Sequence, residues 1–476
     1  MKTFTANAVF SLLAISATGC ITLGPDYARP PVAAPANFRG AGTGAAQTSA
    51  AASLATREWS ELFRDEALRT LLAKALTDGF DVRIAAARLS QAAALAGVAR
   101  ADRFPAIDLE GSALRERAPL AGGAPAETSR YAVGAGLSWE IDFWGRYRRA
   151  SESARDRMIA AEWGERAVVT SLIADVATRY YTLRGLDLER EIASRTQVSR
   201  EESLRLTRLR EDGGAASLVD VRQAEQLVFA AQGTLIDLDR RIEQQENGLS
   251  VLLGRNPGPI ERGAALGDLA QIAELPEGLP SDLLERRPDI REAEALLASS
   301  TADIGVARAS YFPRIALTGS GGYASGALSA LFNGPAAIWS AVASAVQPLF
   351  DAGRTRSGVR YADARREEAN AIYERTVRTA FSEVSDALVE RRQMSALRET
   401  QQLLVDAAAD SRRLADVRYS GGVTSYLEVL DSETRLFEAQ LTLVQTQVDE
   451  LAAYVEIYRA LGGGWKQAEK EADGVL

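Results

Sequence analysis

The sequence predicts a mainly α-helical protein with a transmembrane β portion, built from two internal repeats. The first observation is that Val98–Ser112 returns as Val306–Ser320, with ten of fifteen positions identical, at an offset of 208 residues. The second is that the hydrophobic period changes from 3.6 to 2 after Phe104-Pro105 and again after Phe312-Pro313. The third is a long proline-free helical stretch in each copy. A domain-sized unit therefore occurs twice, unlike the short repeats of solenoids.

Composition excludes several classes of function. The 476-residue chain is 46% hydrophobic, enough for a sizeable core, and its formal charge of −9 argues against nucleic acid or anionic lipid as the main partner. It contains no histidine and one cysteine, which excludes His-dependent triads, His-ligated metals and thiolate metal clusters. We therefore expect no enzymatic activity, no metal site and no cofactor other than a covalent lipid.

The N-terminus carries a predicted signal peptide over residues 1–19, directly before the only cysteine. Lys2 precedes an apolar run, and Thr18-Gly19-Cys20 resembles a bacterial lipobox, with Ile21 following as in lipoproteins sorted to the outer membrane. Residues 20–58 then read as a lipid-anchored extended segment. An ordinary signal peptide with an incidental cysteine is the alternative. No later apolar run reaches the ~20 residues of a spanning helix, so a membrane-crossing part would have to be a β-barrel.

The first repeat is predicted over residues 59–255. An Ala- and Arg-rich helix runs from Asp81 to Phe104, where the Phe-Pro pair stops it. A β-hairpin follows at about 106–143, and in its strand Tyr131–Phe143 apolar odd positions alternate with small or polar ones. A long helical hairpin then occupies about 146–254, its first helix ending at Arg210.

A linker at 256–280, punctuated by Pro and Gly, leads to the second repeat, predicted over 281–463. This repeat has a helix from Pro288 to Phe312, a hairpin at about 314–350 and a long helical hairpin at about 354–462. Apolar and polar residues alternate poorly in the strand Ile338–Phe350, so the sequence does not decide which side chains face which side of the sheet. The charged tail at 464–476 is predicted to be mobile. The returning helix carries a heptad seam of Leu427, Leu430, Thr434, Phe437, Leu441, Val444, Val448, Leu451, Val455 and Tyr458.

The strands predict an oligomer. Two hairpins supply four strands per chain, which cannot close a barrel whose smallest membrane examples have about eight. An open edge in lipid would leave backbone groups unpaired at a cost of several kcal/mol each. Three chains would supply twelve strands, but the argument from the strands alone also permits dimers and tetramers.

Several motifs resemble those of TolC-like outer-membrane efflux factors of the lipoprotein branch. They are Gly24-Pro-Asp-Tyr-Ala-Arg-Pro30, Trp139-Glu-Ile-Asp-Phe-Trp-Gly-Arg146 and Glu285–Glu294, which continues through Tyr311-Phe-Pro313. The resemblance covers essentially the whole mature chain. It implies a homotrimer with a 12-stranded β-barrel in the outer membrane and a helical, coiled-coil periplasmic tunnel of ~100 Å. It also implies two partners, a periplasmic adaptor (membrane fusion protein) and an inner-membrane RND-type pump.

The same resemblance implies a periplasmic gate on the second returning helix. It places an apolar constriction at Leu427 and an acidic ring at Asp431, with Glu428 between them. Three Asp431 carboxylates would repel one another unless some protonate or hold a cation. Packing in the heptad seam is the alternative role for Leu427.

Further residues of the gate region follow from the resemblance. Tyr419 resembles a tyrosine that ties the inner to the outer hairpin in the closed state. An arginine found after it in some relatives is replaced here by Thr424, and Arg418 is a candidate substitute.

Glycines and aromatic residues mark the two ends of the predicted channel. The corner glycines, expected to adopt positive φ and to form the tip that contacts the adaptor, are Gly213, Gly214, Gly421 and Gly422. The aromatic residues expected at the membrane interface are Trp139, Phe143 and Trp144, for which burial at the α/β transition is the alternative.

The favoured function is the outer-membrane exit duct of a tripartite efflux system, passively exporting small molecules such as drugs or metal ions. One alternative is the same duct serving a type I protein secretion system. Another, from a different class, is a periplasmic coiled-coil adaptor or structural lipoprotein, which would explain the heptads and Cys20 but not the four amphipathic strands.

Overall fold

The computed structural model describes residues 21–33, 35, 38–39, 59–119, 125–269 and 283–463. The predicted signal peptide at 1–19, Cys20, most of the 20–58 segment, part of the 256–280 linker and the 464–476 tail lie outside these residues.

The long helices follow the predicted order. α4 and α5 return as α9 and α10 with the same lengths, 67 and 35 residues, and at the same displacement, since 146 + 208 = 354 and 218 + 208 = 426. Within the described ranges, no helix is both long enough and apolar enough to cross a membrane. The helices are α1 Trp59–Leu62, α2 Glu66–Asp78, α3 Phe80–Ala101, α4 Arg146–Asp212, α5 Leu218–Leu252, α6 Leu266–Leu269, α7 Leu283–Arg286, α8 Pro288–Ala309, α9 Arg354–Ser420 and α10 Tyr426–Ala460.

Four strands form one antiparallel sheet in the order β1-β2-β3-β4, so the β2–β3 ladder joins the two repeats. The strands are β1 Ala106–Ala118, β2 Ala126–Ile141, β3 Arg314–Ser325 and β4 Ala337–Val346. β4 ends at Val346, before the predicted Phe350, because it pairs there with Arg314, the first residue of β3, and Pro313 before it has no N–H to continue the ladder.

The sheet has one apolar and one polar face. Directly opposed residues point to the same side, and the ladders pair odd with odd positions throughout, as in Leu137↔Gly319 and Gly319↔Ala341. The odd face carries most of the large apolar side chains, including Ile107, Leu109, Tyr131, Val133, Leu137, Trp139, Ile315, Leu317, Tyr323 and Trp339. The even face carries mainly small or charged ones. Every residue of the edge strands β1 and β4 is exposed.

The described residues divide into two compact units, and each unit takes segments from both repeats. The strand unit comprises 1–31, 88–161 and 292–374, and the helix unit comprises 32–87, 162–291 and 375–476, each within its described part. The strand unit holds the sheet. The helix unit holds the main apolar core, where Tyr180, Leu183 and Tyr458 are at most 1% exposed.

α10 confirms most of the predicted heptad seam, because Leu430, Val448 and Tyr458 are buried in the helix unit. Burial extends beyond one seam to Leu443, Tyr454 and other residues, since several helices pack around α10. The first seam position is the exception: Leu427 is 60% exposed.

Candidate functional site

Each long helix of the helix unit ends in a Schellman turn. Gly422 N–H donates to Tyr419 O at 3.0 Å and Val423 N–H to Arg418 O at 2.9 Å, with Gly422 at φ +71°. Gly214 repeats this geometry at φ +74°. The expectation of positive φ at all four corner glycines is therefore wrong for Gly213 and Gly421. The Schellman turn puts one residue, the second glycine of each pair, in the left-handed region.

Tyr419 joins the two helical hairpins inside the helix unit. Its ring lies 5.2 Å from the ring of Tyr426, and the Arg210 guanidinium of the first repeat lies 4.6 Å from its centre. A cation over an aromatic face attracts it by about 0.5–1 kcal/mol at exposed sites. The corner of the second repeat is thus held against the end of α4.

Glu428 is held by the turn that precedes α10. Thr424 Oγ1 donates to its carboxylate, and Arg418 Nε lies 3.5 Å from Glu428 Oε1. Thr424 in the loop and Arg418 in the last turn of α9 therefore both contact the Glu428 carboxylate.

Leu427 and Asp431 both lie on the exposed side of α10. Asp431 Oδ2 accepts a hydrogen bond from Arg435 Nε at 2.8 Å, with both side chains more than half exposed. Each Asp431 therefore brings its own counter-cation, which weakens the repulsion expected from an acidic ring. An exposed i,i+4 pair of this kind contributes only about 0.3–0.5 kcal/mol.

A buried charged cluster in the helix unit was missed by the sequence reasoning. Arg200 on α4 and Glu433 on α10 are 3% and 7% exposed, and Arg412 Nη2 donates to Glu433 Oε1 at 3.2 Å. Burial raises the pKa of Glu433, although Arg412 and Arg200 act to lower it. The cluster lines a cleft of about 250 Å³. Its members are far apart in the chain, so no local pattern reveals it.

Aromatic side chains gather at the helix-connected end of the sheet. Trp144 Nε1 donates to Pro313 O at 2.8 Å, its ring stacks on Phe312 at 4.7 Å, and Trp139 Nε1 donates to Arg103 O at 3.1 Å. Trp139, Phe143 and Trp144 are half-buried, so neither full burial nor full exposure describes them. The sequence reasoning missed the exposed Phe350 after β4, and also Phe332 and Trp339, which are exposed at the opposite end of the sheet, where β3 leads into β4.

The described N-terminal segment is strapped across the strand unit. Arg29 Nε donates to Glu294 Oε1 at 2.7 Å and Arg149 Nη2 to Asp26 Oδ1 at 2.6 Å. Leu23 N–H donates to Trp144 O at 3.3 Å. The strap therefore brings the start of the described chain to the aromatic end of the sheet.

Known proteins resemble this chain in both repeats. The family model for outer membrane efflux proteins matches residues 71–255 and 279–463, two segments displaced by 208. The chain is 38% identical over 471 residues to the toluene efflux pump outer membrane protein TtgI of Pseudomonas putida, covering 98% of this chain and 99% of that protein. It is 35% identical over 479 residues to the outer membrane protein OprJ of Pseudomonas aeruginosa, covering 97% of each. The open-state MtrE outer membrane channel of Neisseria gonorrhoeae matches its fold with a TM-score of 0.84 at 30% identity, over 93% of this chain and 98% of that one.

Proposed function

This chain belongs to the outer membrane efflux protein family, and from that premise we propose that three copies assemble into one export channel. The protein is a transport duct of the outer membrane, not an enzyme, and serves as the exit duct of a tripartite efflux system. The finer proposal concerns how the duct is built, where it closes and what it carries.

The observation that supports a barrel shared between copies is the pair of unpaired, fully exposed sheet edges, and the number of three copies rests on the resemblance to the family. β1 and β4 present their backbone groups to no partner within the described chain. Three sheets joined edge to edge make 4 × 3 = 12 strands, an even number that can close a barrel. The odd face would then meet lipid and the even face water. Tyr131 and Trp139 lie eight residues apart on β2, about 26 Å along the strand, which suits two aromatic girdles.

The helices beside the sheet support the same assembly. α4 covers α8 in the strand unit, where Ser153 Oγ donates to Asp303 Oδ1 at 2.7 Å and Arg157 Nη2 donates to Asp303 Oδ2 at 2.6 Å. The equivalent helix α3 is bare: Leu95 and Val98 are 65% and 59% exposed. By the offset of 208, α9 of a neighbouring copy is the helix that would cover it.

The long helical hairpins would form a periplasmic tunnel, and their corners would receive a periplasmic adaptor coupled to an inner-membrane RND-type pump. The toluene efflux relative supports a small organic molecule as cargo in preference to a metal ion. Cys20 would carry the lipid anchor, and the strap supports this by leading the chain start to the aromatic end of the sheet.

The gate would be formed by Leu427 and Asp431 from three copies. The exposure of Leu427 supports this role, because a side chain used for packing within the chain would be buried. Arg435 refines the proposal: the ring would consist of three Asp431–Arg435 pairs, with Tyr419 holding each second-repeat corner closed.

Native mass measurement tests the trimer, and planar-bilayer recordings on the purified channel test the gate. Native mass should give three chains per particle, about three times 51.1 kDa before processing. Asp431→Asn and Leu427→Ala should each raise single-channel conductance without changing that mass. Divalent-cation block should weaken in Asp431→Asn and strengthen in Arg435→Ala, because the second change leaves the carboxylates unneutralised.

Glu140→Ala, which removes a carboxylate from the strand unit, is the control and should leave block unchanged. A monomer that conducts ions would refute the shared barrel. Wild-type block in both Asp431→Asn and Arg435→Ala would show that the constriction lies elsewhere.

A further inference from the structure

The two edge strands have large aliphatic side chains on the polar face, and the inner strands have none there. On the even, polar face, β2 and β3 present no large aliphatic side chain. β1 presents Leu114 there, and β4 presents Ile338, Val342 and Val346, each about half exposed or more. Aliphatic residues on the polar face are thus confined to the strands whose partners are absent from the chain.

The repeat also predicts how these edges meet. β1 and β3 are equivalent, since 106 + 208 = 314, and so are β2 and β4, since Ala106↔Ser138 returns as Arg314↔Val346. The β2–β3 ladder is therefore the within-chain version of a contact between β4 and the β1 of another copy. That ladder pairs Gly134 with Gly322. Shifted by 208, the pair becomes 134 + 208 = 342 and 322 − 208 = 114, which are Val342 and Leu114.

We propose that neighbouring copies join through a β4–β1 ladder in which Val342 lies opposite Leu114 of the next copy. This deepens the proposed trimer, on which it rests, by naming the register of its seam. The repeat arithmetic selects this pair, and the confinement of the aliphatic residues to β1 and β4 is a separate observation that supports contact between these two strands. In this register Trp339 lies opposite Arg117, which places a guanidinium beside an indole on the lipid side.

The within-chain ladder could not hold this pair. A Cβ at Gly322 would lie 2.2 Å from Val133 O and 2.5 Å from Gly134 Cα, so the backbones there approach too closely for any side chain. The two equivalent ladders are therefore chemically distinct, glycine on glycine inside a chain and valine on leucine between chains.

Disulfide crosslinking measures this register directly, because opposed Cβ atoms lie ~4.5–5.5 Å apart and diagonal ones ~7–8 Å. The test pair is Ala113→Cys with Ala343→Cys, which the same register opposes, in a Cys20→Ser background that has no other thiol. Matched controls combine Ala113→Cys with Ala341→Cys or with Ala345→Cys, two residues away on the same face. Opposed residues in an antiparallel ladder alternate between hydrogen-bonded and non-hydrogen-bonded pairs. The second test pair, Leu114→Cys with Val342→Cys, is the neighbouring pair and so samples the other kind.

After native mass confirms the trimer, mild oxidation should give multi-chain species on a denaturing gel from the test pairs, several-fold more than from the controls. A maximum at Ala341→Cys or Ala345→Cys in an intact trimer would overturn the register and leave the channel proposal standing. Absence of the trimer in the unsubstituted protein would instead refute the channel proposal itself.

Discussion

At each helical corner a single glycine adopts the left-handed conformation, and its neighbour does not. Gly422 and Gly214 have φ of +71° and +74°, whereas an added Cβ at Gly421 or Gly213 would meet nothing nearer than 3.5 Å. The two glycines of each pair therefore differ in what they tolerate.

Gly422→Ala should destabilise the protein by about 1–2 kcal/mol, the cost of a side chain in the left-handed region. Gly421→Ala should be neutral or stabilise by about 0.4–1 kcal/mol, because it restricts the unfolded chain. Thermal melting of the purified protein followed by circular dichroism measures both. The pair Gly214→Ala and Gly213→Ala repeats the comparison 208 residues earlier. Equal melting temperatures within a pair would contradict the assignment.

Asp156 on α4 predicts a pH dependence. Burial, reinforced by Glu152, raises the pKa of Asp156 to about 6, although Arg155 lowers it. The folded-state pKa of Asp156 lies above its ordinary value of 3.8, so folding favours the protonated carboxyl. Its contribution to the free energy of unfolding is complete below pH 3.8 and is lost as the pH rises through about 6. The Asp156→Asn side chain cannot ionise. The melting temperature of this variant, relative to that of the wild type, should therefore rise between pH 5 and pH 8. Glu243→Gln, at an exposed acid on α5, controls for the loss of one negative charge. A larger gain at pH 5 than at pH 8 would refute the prediction.

The two returning helices begin differently at equivalent positions. In α5, Ser217 Oγ accepts from Asp220 N–H at 3.3 Å and Asp220 Oδ2 accepts from Ser217 N–H at 2.8 Å, a capping box. In α10, Ser425 makes no side-chain cap, and the carboxylate of Glu428 is engaged by Thr424 and Arg418 instead. The start of the proposed gate helix thus depends on the loop before it.

Ser217→Ala should lower the free energy of unfolding by about 1 kcal/mol, the usual value of an N-cap. Ser425→Ala, 208 residues later, should change it by much less because no cap is lost. Melting temperatures of the two single variants decide this. A larger loss in Ser425→Ala would show that α10 is capped in solution in a way that its described geometry lacks.

For the whole molecule, the strap of residues 21–29 connects the N-terminal end to the sheet. Its contacts with Arg149 and Glu294 are charge-assisted and span more than 120 residues of sequence. A lipid on Cys20 would therefore anchor the chain at the aromatic end of the sheet, where the barrel would anchor it as well.

Cys20→Ser should abolish acyl labelling and processing by lipoprotein signal peptidase, because the acylated thiol is gone. The particle should still contain three chains, since the proposed seam between copies is made by β1 and β4. Mass spectrometry of the mature protein and radiolabelled palmitate report the two effects. Unchanged mature mass together with unchanged labelling would exclude lipidation at Cys20.

Local patterns in the sequence determined the repeat, the long helices and the four strands, because a constant offset and the periods 3.6 and 2 are properties of neighbouring residues. The resemblance of its motifs to one family also indicated the function. Only the tertiary structure decided the facing of β4, since a strand's side is set by the register with its partner. It likewise decided that Leu427 is exposed and that Arg412 reaches the buried carboxylate of Glu433. Each of these depends on residues distant in the chain, and their proximity exists only once the helices and strands have packed.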